Sequence, residues 1–268
     1  TAIDEAILSE EFIAPEKRDD WREVRNYIDA MNGAVDELNS LPLSNRLLKN
    51  THHKLMQGVR GEHKQPGEFR STQNWIGGSG IVDAAFIPPH FTEVQDLMSD
   101  LESFWHNEQI IVPDLVRAAI THYQFETIHP FCDGNGRVGR LLIPLYLISK
   151  GILNKPSLYL SDFFEKHKRS YIDALMGVRL SNDLIHWIKF FLNGVMVTAE
   201  KGRDTFKRIL ALQNKIETQL HTLGRRYPSA HQTMKVLYQK PLITISELET
   251  LGNISKVTAN AVIKDLEQ

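Results

Sequence analysis

Cysteine is almost absent: Cys132 is the only one in 268 residues. A lone thiol excludes an internal disulfide and fits a reducing compartment, so a cytoplasmic protein is the expectation. An excess of charge of one sign is lacking too. Lys and Arg number 31 against 33 Asp and Glu, with no long run of either, so the balance demands neither nucleic acid nor an anionic membrane. No apolar run approaches the ~18 residues of a membrane span, and the longest is interrupted by Pro144. No basic-apolar leader is visible, and the first residue is Thr1 rather than Met, which reads as a processed or partial chain. The length exceeds one average domain, so a main domain with a smaller companion is expected.

What is present is concentrated in one stretch. His129-Pro-Phe-Cys-Asp-Gly-Asn-Gly-Arg-Val-Gly-Arg140 holds an imidazole, a carboxylate, three glycines, an asparagine and two guanidiniums, followed at once by the apolar run 141–148. That order reads as a loop feeding a helix. Gly134, Asn135 and Gly136 can take the conformations that turn successive N–H groups inward, and free amides of a helix start would face the same concavity. Arg137 and Arg140, three apart, leave one face of the first turn, which suits a polyphosphate. Asp133 is a hard oxygen ligand of the kind that holds Mg²⁺ together with substrate phosphates. His129 is a base able to take a proton near neutrality. Base, metal carboxylate and anion nest are the parts that phosphoryl or nucleotidyl transfer requires.

The string also resembles the active-site motif of Fic (filamentation induced by cAMP) proteins, H-x-F-x-[D/E]-G-N-G-R-x-x-R, at every specified position. Cys132 falls at an unspecified one. The resemblance implies transfer of AMP from Mg-ATP to a hydroxyl side chain of a target protein. His129 would be the general base, Phe131 a buried anchor for the loop, Asp133 the Mg²⁺ ligand and Asn135 a contact to the α-phosphate. The backbone of Gly134 and Gly136 would line the anion hole, with Arg137 on the outer phosphates and Arg140 on the γ-phosphate. The related Doc kinases carry Lys at position 136, so Gly136 fits the nucleotide-transferring branch. Many relatives carry an inhibitory helix with [S/T]-x-x-x-E-[G/N]. Thr1 to Glu5 has that spacing, but Ala6 stands at the last position. The expectation is therefore an inhibitory segment missing upstream of Thr1 or supplied by a partner, an unpaired Arg140, and no Glu5–Arg140 contact.

The expected fold is all-α, a Fic-type helical domain with one β-hairpin. Trp21, Val24, Tyr27, Ile28, Met31, Val35 and Leu38 repeat at helical spacing after a cap at Asp20, and Ser44 restarts a helix with Leu47, Leu48, Leu55 and Met56 inward. His52, His53 and His63 read as partly exposed helix histidines rather than ligands, for want of Cys or close Asp/Glu spacing. Residues 67–89 are rich in Gly, β-branched and aromatic residues, the pattern of a hairpin. By resemblance this segment is a flap over the active site whose edge pairs with an extended target peptide, which assigns Gln73, Asn74, Trp75 and Ile76 to target docking.

Further helices follow around Val94–Trp105, from Pro113 to Thr127, and across 163–179. His122 reads as a core or supporting group. Tyr171, by resemblance, lies where relatives place a residue against adenine. Pro144 should free the carbonyl of Arg140 inside its helix, and Gly151 should end it.

The expected organisation is a Fic domain with N-terminal helices over 1–200, a connecting helix over 201–229 and a partial winged-helix-like segment over 230–268. Thr244-Ile-Ser-Glu247 is a capping box. The last helix carries only Lys256 and Lys264 against Asp265 and Glu267, so the segment reads as a protein-interaction or regulatory appendage rather than a DNA reader. Apolar stripes such as Phe206, Ile209 and Leu212 suggest a homodimer or connector surface. The first functional reading is a protein adenylyltransferase acting on Ser, Thr or Tyr. The alternatives are an ATP-sensing transcriptional regulator, and transfer of another nucleotide or phosphate, or removal of AMP, at the same site.

Overall fold

A computed structural model describes residues 13–266. The Thr1–Glu5 motif and its relation to Arg140 lie outside the described residues. Two compact units divide the chain, one of residues 22–202 and one of residues 203–268 with 1–21.

Arg18–Glu37 forms α1, with Ala30, Met31 and Ala34 buried. It starts two residues before the expected cap, leaving Asp19 and Asp20 in its first turn, where their charge suits the positive dipole end. Ser44 caps α2 (Asn45–Leu55) as expected, accepting a hydrogen bond from the Leu47 amide. After a long irregular stretch come α3 (Val94–His106), α4 (Asp114–Ile128) and α5 (Asn135–Ser149). Helix α5 is apolar nearly all round, with Leu141 to Leu147 buried without exception, so it can only lie inside the unit. It packs along α4, and α2 and α3 close the same core. Pro144 sits within α5 and lacks the N–H that would bond the Arg140 carbonyl. Gly151 takes the left-handed conformation (φ 70°) past the helix end, and the Ile152 amide returns to the Leu147 carbonyl, the C-cap expected there.

Close approach of α4 and α5 depends on Gly139. A Cβ there would collide with Glu126 Oε1 and stand 3.2 Å from Phe125 Cδ1. Gly139→Ala is expected to destabilise the protein by ~1–3 kcal/mol through overpacking, measured as a lower midpoint in urea unfolding. An unshifted midpoint would show that the helices separate without cost.

One helix expected across 163–179 is two: α6 (Ser161–Lys166) and α7 (Lys168–Ser181), broken at His167. α8 spans Leu184–Leu220. In the smaller unit α9 (Tyr227–Gln239), α10 (Ile245–Gly252) and α11 (Lys256–Leu266) pack around Leu220, Ala230 and Val262 and around Val236, Leu248 and Ala259. Thr244 and Glu247 form the expected capping box, and Ser255 accepts from the Thr258 amide. No strand accompanies these three helices among the described residues.

The β-hairpin is a correction. Residues 67–89 contain a single antiparallel bridge, Ile76 to Phe86, in place of two strands. Gly77 and Gly78 both adopt positive φ and Ile81–Asp83 coils into a 3-10 turn, so the chain leaves the extended region directly after the bridge. The Asp83 carboxylate fixes that turn by accepting from the Ser79 and Gly80 amides at 2.7–3.0 Å. The richness in Gly, β-branched and aromatic residues predicted a hairpin; the glycine pair and the aspartate make a closed loop instead.

Candidate active site

Helix α4 ends at His129, whose left-handed backbone (φ 51°) turns the chain sharply, its amide still bonded to the Phe125 carbonyl. A non-glycine residue in that region costs energy unless its surroundings hold it there, and strain of this kind gathers at functional sites. Phe131 supplies the hold. It is fully buried, with its ring stacked on the His52 imidazole at 3.9 Å and tilted against Phe69 and Phe125.

Asn135 locks the turn from the other side. Its carbonyl oxygen accepts from the Phe131 amide (2.8 Å) and its NH₂ donates to the Phe131 carbonyl (2.7 Å). The side chain is thereby committed to the loop, and at 2% exposure it is buried. Gly134, at φ 75°, is the N-cap of α5 and offers no side chain to satisfy the first amides of the helix. A Cβ on Gly134 would press on Met56 Sδ and His52 Nε2 at 3.0 and 3.2 Å. The start of α5 is therefore an uncapped ring of donors at the positive end of its dipole.

Charges surround this start. Burial alone would raise the Asp133 carboxyl, but the Gly134 amide at 2.6 Å and the Lys64 ammonium at 3.2 Å outweigh it and hold the group below its ordinary range. Arg137 lies 3.8 Å from Asp133 and 3.6 Å from Glu23, and its Nη1 has no hydrogen-bond partner. Arg140 is half-buried and forms no hydrogen bond or ion pair with the described residues. A Cβ on Gly136 would stand 3.2 Å from its Nη1, so Gly136 leaves room for that guanidinium. The His129 ring is held down to about 4, chiefly by burial, with the Arg70 and Arg179 charges acting in the same direction. Its Nδ1 is buried with no partner of good hydrogen-bond geometry, although the nearby Glu126 carbonyl favours the protonated ring.

Residues 42–147 match the Fic/DOC family. A protein adenylyltransferase Fic of Culex quinquefasciatus is 36% identical over 125 residues, which are 46% of this chain and 22% of that protein. A probable protein adenylyltransferase of Aquifex aeolicus is 44% identical over 96 residues, 35% of this chain and 27% of that protein. The solved structure of a Fic family protein from Desulfovibrio desulfuricans superposes with a TM-score of 0.58 at 25% identity, covering 76% of this chain and 62% of its own.

Residues 42–147 are a Fic/DOC domain. The chain spans about a quarter of the length of these curated relatives.

Within the Fic domain the four flap residues divide by direction. Trp75 is 42% exposed, and Ile76 is half-buried with its backbone in the bridge to Phe86. Gln73 and Asn74 turn their amides inward, Gln73 to the Pro88 carbonyl at 3.0 Å and Asn74 to the Phe131 carbonyl at 3.2 Å. Tyr171, on α7, stacks on Phe164 at 4.6 Å with its hydroxyl 3.0 Å from His122 Nε2. Because His122 Nδ1 donates to the Gly139 carbonyl (2.9 Å), its Nε2 is the acceptor and Tyr171 the donor. Burial keeps that imidazole neutral, pulled down to about 4.

Sequence reasoning missed four supports. His52 is fully buried rather than partly exposed. Its Nδ1 accepts from the Gly67 amide (2.8 Å), so its Nε2 donates to the Asp133 carbonyl (3.0 Å). Its place among Leu48, Thr51 and Leu55 on the inner face of α2 was the available signal. Arg70, Glu126 and Arg179 carried none, because their partners are backbone carbonyls or a neighbouring helix.

Proposed function

We propose that this chain transfers AMP from ATP to a hydroxyl side chain of a protein, with His129 as general base. The supporting observation is the uncapped start of α5, set directly after the strained His129 and flanked by Arg137 and by Arg140, which has no ion pair among the described residues. Cationic side chains and free amides converge there, as a triphosphate site needs. The names of the relatives point the same way.

Asp133 would hold Mg²⁺. No group of three or more His, Cys, Asp or Glu able to bind a metal exists among the described residues, so the ion would be held by this one ionised carboxylate, phosphate oxygens and water. That donor set fits Mg²⁺, which when bound would neutralise charge on the phosphates. Lys64 would have to release the Asp133 oxygen it now occupies.

In the reaction, His129 takes the proton of the target hydroxyl as its oxygen bonds to the α-phosphorus. The bond from that phosphorus to the bridging oxygen breaks and pyrophosphate leaves. A ring near 4 in the free protein is neutral at pH 7, hence ready to accept, and the charge of a bound triphosphate would raise its basicity. The amides of Asn135 and Gly136 would bind the α-phosphate oxygens where charge develops, with Arg137 and Arg140 on the outer phosphates. The Asn135 side chain would act by fixing the loop. Tyr171 would border the adenine side through His122 and the aromatic cluster beneath it.

Incubation with ATP labelled on the α- or the γ-phosphate, with lysate protein as acceptor, tests the reading. Protein retaining only the α-label supports it. Retention of the γ-label would make the chain a kinase, and retention of neither would overturn the reading.

The flap would receive the target as an added strand beside Ile76. Ile76→Pro removes the 2.9 Å hydrogen bond to the Phe86 carbonyl and is expected to lower protein labelling at least ~10-fold, with ATP affinity by calorimetry unchanged. Undiminished labelling would take the flap out of the account.

A further inference from the structure

Arg70 is 2% exposed, and no carboxylate lies within ion-pair distance of it among the described residues. A buried guanidinium without a counter-ion is costly unless its donors are satisfied. All three of its nitrogens donate to backbone carbonyls: Nε to His129 at 2.9 Å, Nη2 to Pro89 at 2.6 Å and Ile128 at 3.3 Å, and Nη1 to Thr72 at 3.3 Å. Its amide donates to the Pro130 carbonyl at 2.8 Å. Thr72 and Pro89 are the two feet of the flap; Ile128 and His129 end α4. The last carbonyls of a helix lack intrahelical partners and carry the negative dipole end, so one cation there serves both acceptors and field.

Two further ties run parallel. Asn74 donates to the Phe131 carbonyl. Arg179 lies over the Phe86 ring at 3.6 Å and points Nη2 at the Glu126 carbonyl (3.4 Å) and Thr127 Oγ1 (3.5 Å).

We propose that Arg70 is a positioning residue that fastens both feet of the flap to the helix end carrying His129, so that the docked target and the base keep one spacing. In its kinetic part the inference rests on the adenylyltransferase reading; in its structural part it does not. Thr72 and Pro89 are seventeen residues apart in the chain, and apart from Arg70 the two legs of the flap are joined by the Ile76–Phe86 bridge and by the Gln73 amide on the Pro88 carbonyl. Without Arg70 the flap is left tied by Asn74 and by the Phe86 stack.

Arg70→Lys keeps the charge and loses the fork, and serves as the test. Amide hydrogen exchange across 72–89 is expected to speed up at least ~10-fold, with exchange in the middle of α5 unchanged. In labelling assays the KM for the protein acceptor rises and the KM for ATP stays the same. Unchanged exchange in 72–89, or an equal rise in α5, would overturn the proposal, the second by showing that Arg70 only stabilises the whole unit. If the variant does not fold, native-state exchange of the parental protein decides. Residues 72–89 and the last turn of α4 should open together with one denaturant dependence, and separate opening contradicts the tie. An absence of AMP transfer in the parental protein would remove the adenylyltransferase reading and leave the exchange arm standing.

Discussion

His129→Ala is expected to reduce AMP transfer by ~10²–10⁴-fold and to leave ATP affinity unchanged. The imidazole touches neither the α5 amides nor Arg140 by any hydrogen bond, so its removal takes away the proton acceptor and leaves the anion cradle in place. Phe131, His52 and Asn135 hold the turn without it. The left-handed backbone at position 129 is a further reason to choose a small replacement; a β-branched residue there would add strain and confuse the result. Single-turnover labelling beside ATP calorimetry separates the two terms. Transfer at the parental rate would mean that another group accepts the proton.

Acid should unfold this protein early. His52, His122 and His129 are each held near 4 in the folded state by burial, whereas in the unfolded chain they protonate near 6.5. As pH falls through this interval the unfolded state takes up three protons that the folded state refuses, so stability is complete above about 6.5 and is lost on the way down to about 4. Glu126 works the other way. Burial pushes it up to about 7, so the folded state already holds its proton while the unfolded state releases it until about 4.5. Two protons' worth of linkage remain between 6.5 and 4.5, about 3 kcal/mol of lost stability for each pH unit. Over the two pH units this is ~5 kcal/mol, which exhausts the low end of a typical ~5–15 kcal/mol total by about pH 4.5. Urea unfolding at several pH values measures the slope. His52→Gln keeps a donor for the Asp133 carbonyl and should flatten it by about one proton, roughly 1.4 kcal/mol per pH unit. A slope of zero would mean that the imidazoles protonate in place.

The parts of the site that lie along the chain were legible in the sequence. Gly134, Asn135 and Gly136 mark a turn, the apolar run after Arg140 marks a buried helix, and His129 and Asp133 carry chemistry on either side. Helical periodicity placed α1 through α5 to within a few residues, since an inward face repeats whatever it packs against. Failures came where a side chain answers to something distant. At Ile76 and Phe86 the β-branched pattern promised strands, but Gly77, Gly78 and the Asp83 carboxylate close the chain after a single bridge. Nothing in the spacing of Arg70 or Glu126 announces a backbone carbonyl 59 residues away or a helix closing over them. His52 was misjudged for a related reason: α2 is covered on the side facing the loop, and only the folded unit shows that side.

The central claim is that one bend between α4 and α5 gathers triphosphate and proton acceptor. A crystal structure with Mg²⁺ and a non-hydrolysable ATP analogue tests it most directly. The account predicts phosphates against the amides of Asn135 and Gly136, Arg137 and Arg140 on the outer two, and the α-phosphate facing the His129 ring. Nucleotide bound elsewhere with the start of α5 empty, or bound there with the γ-phosphate turned towards His129, would contradict it.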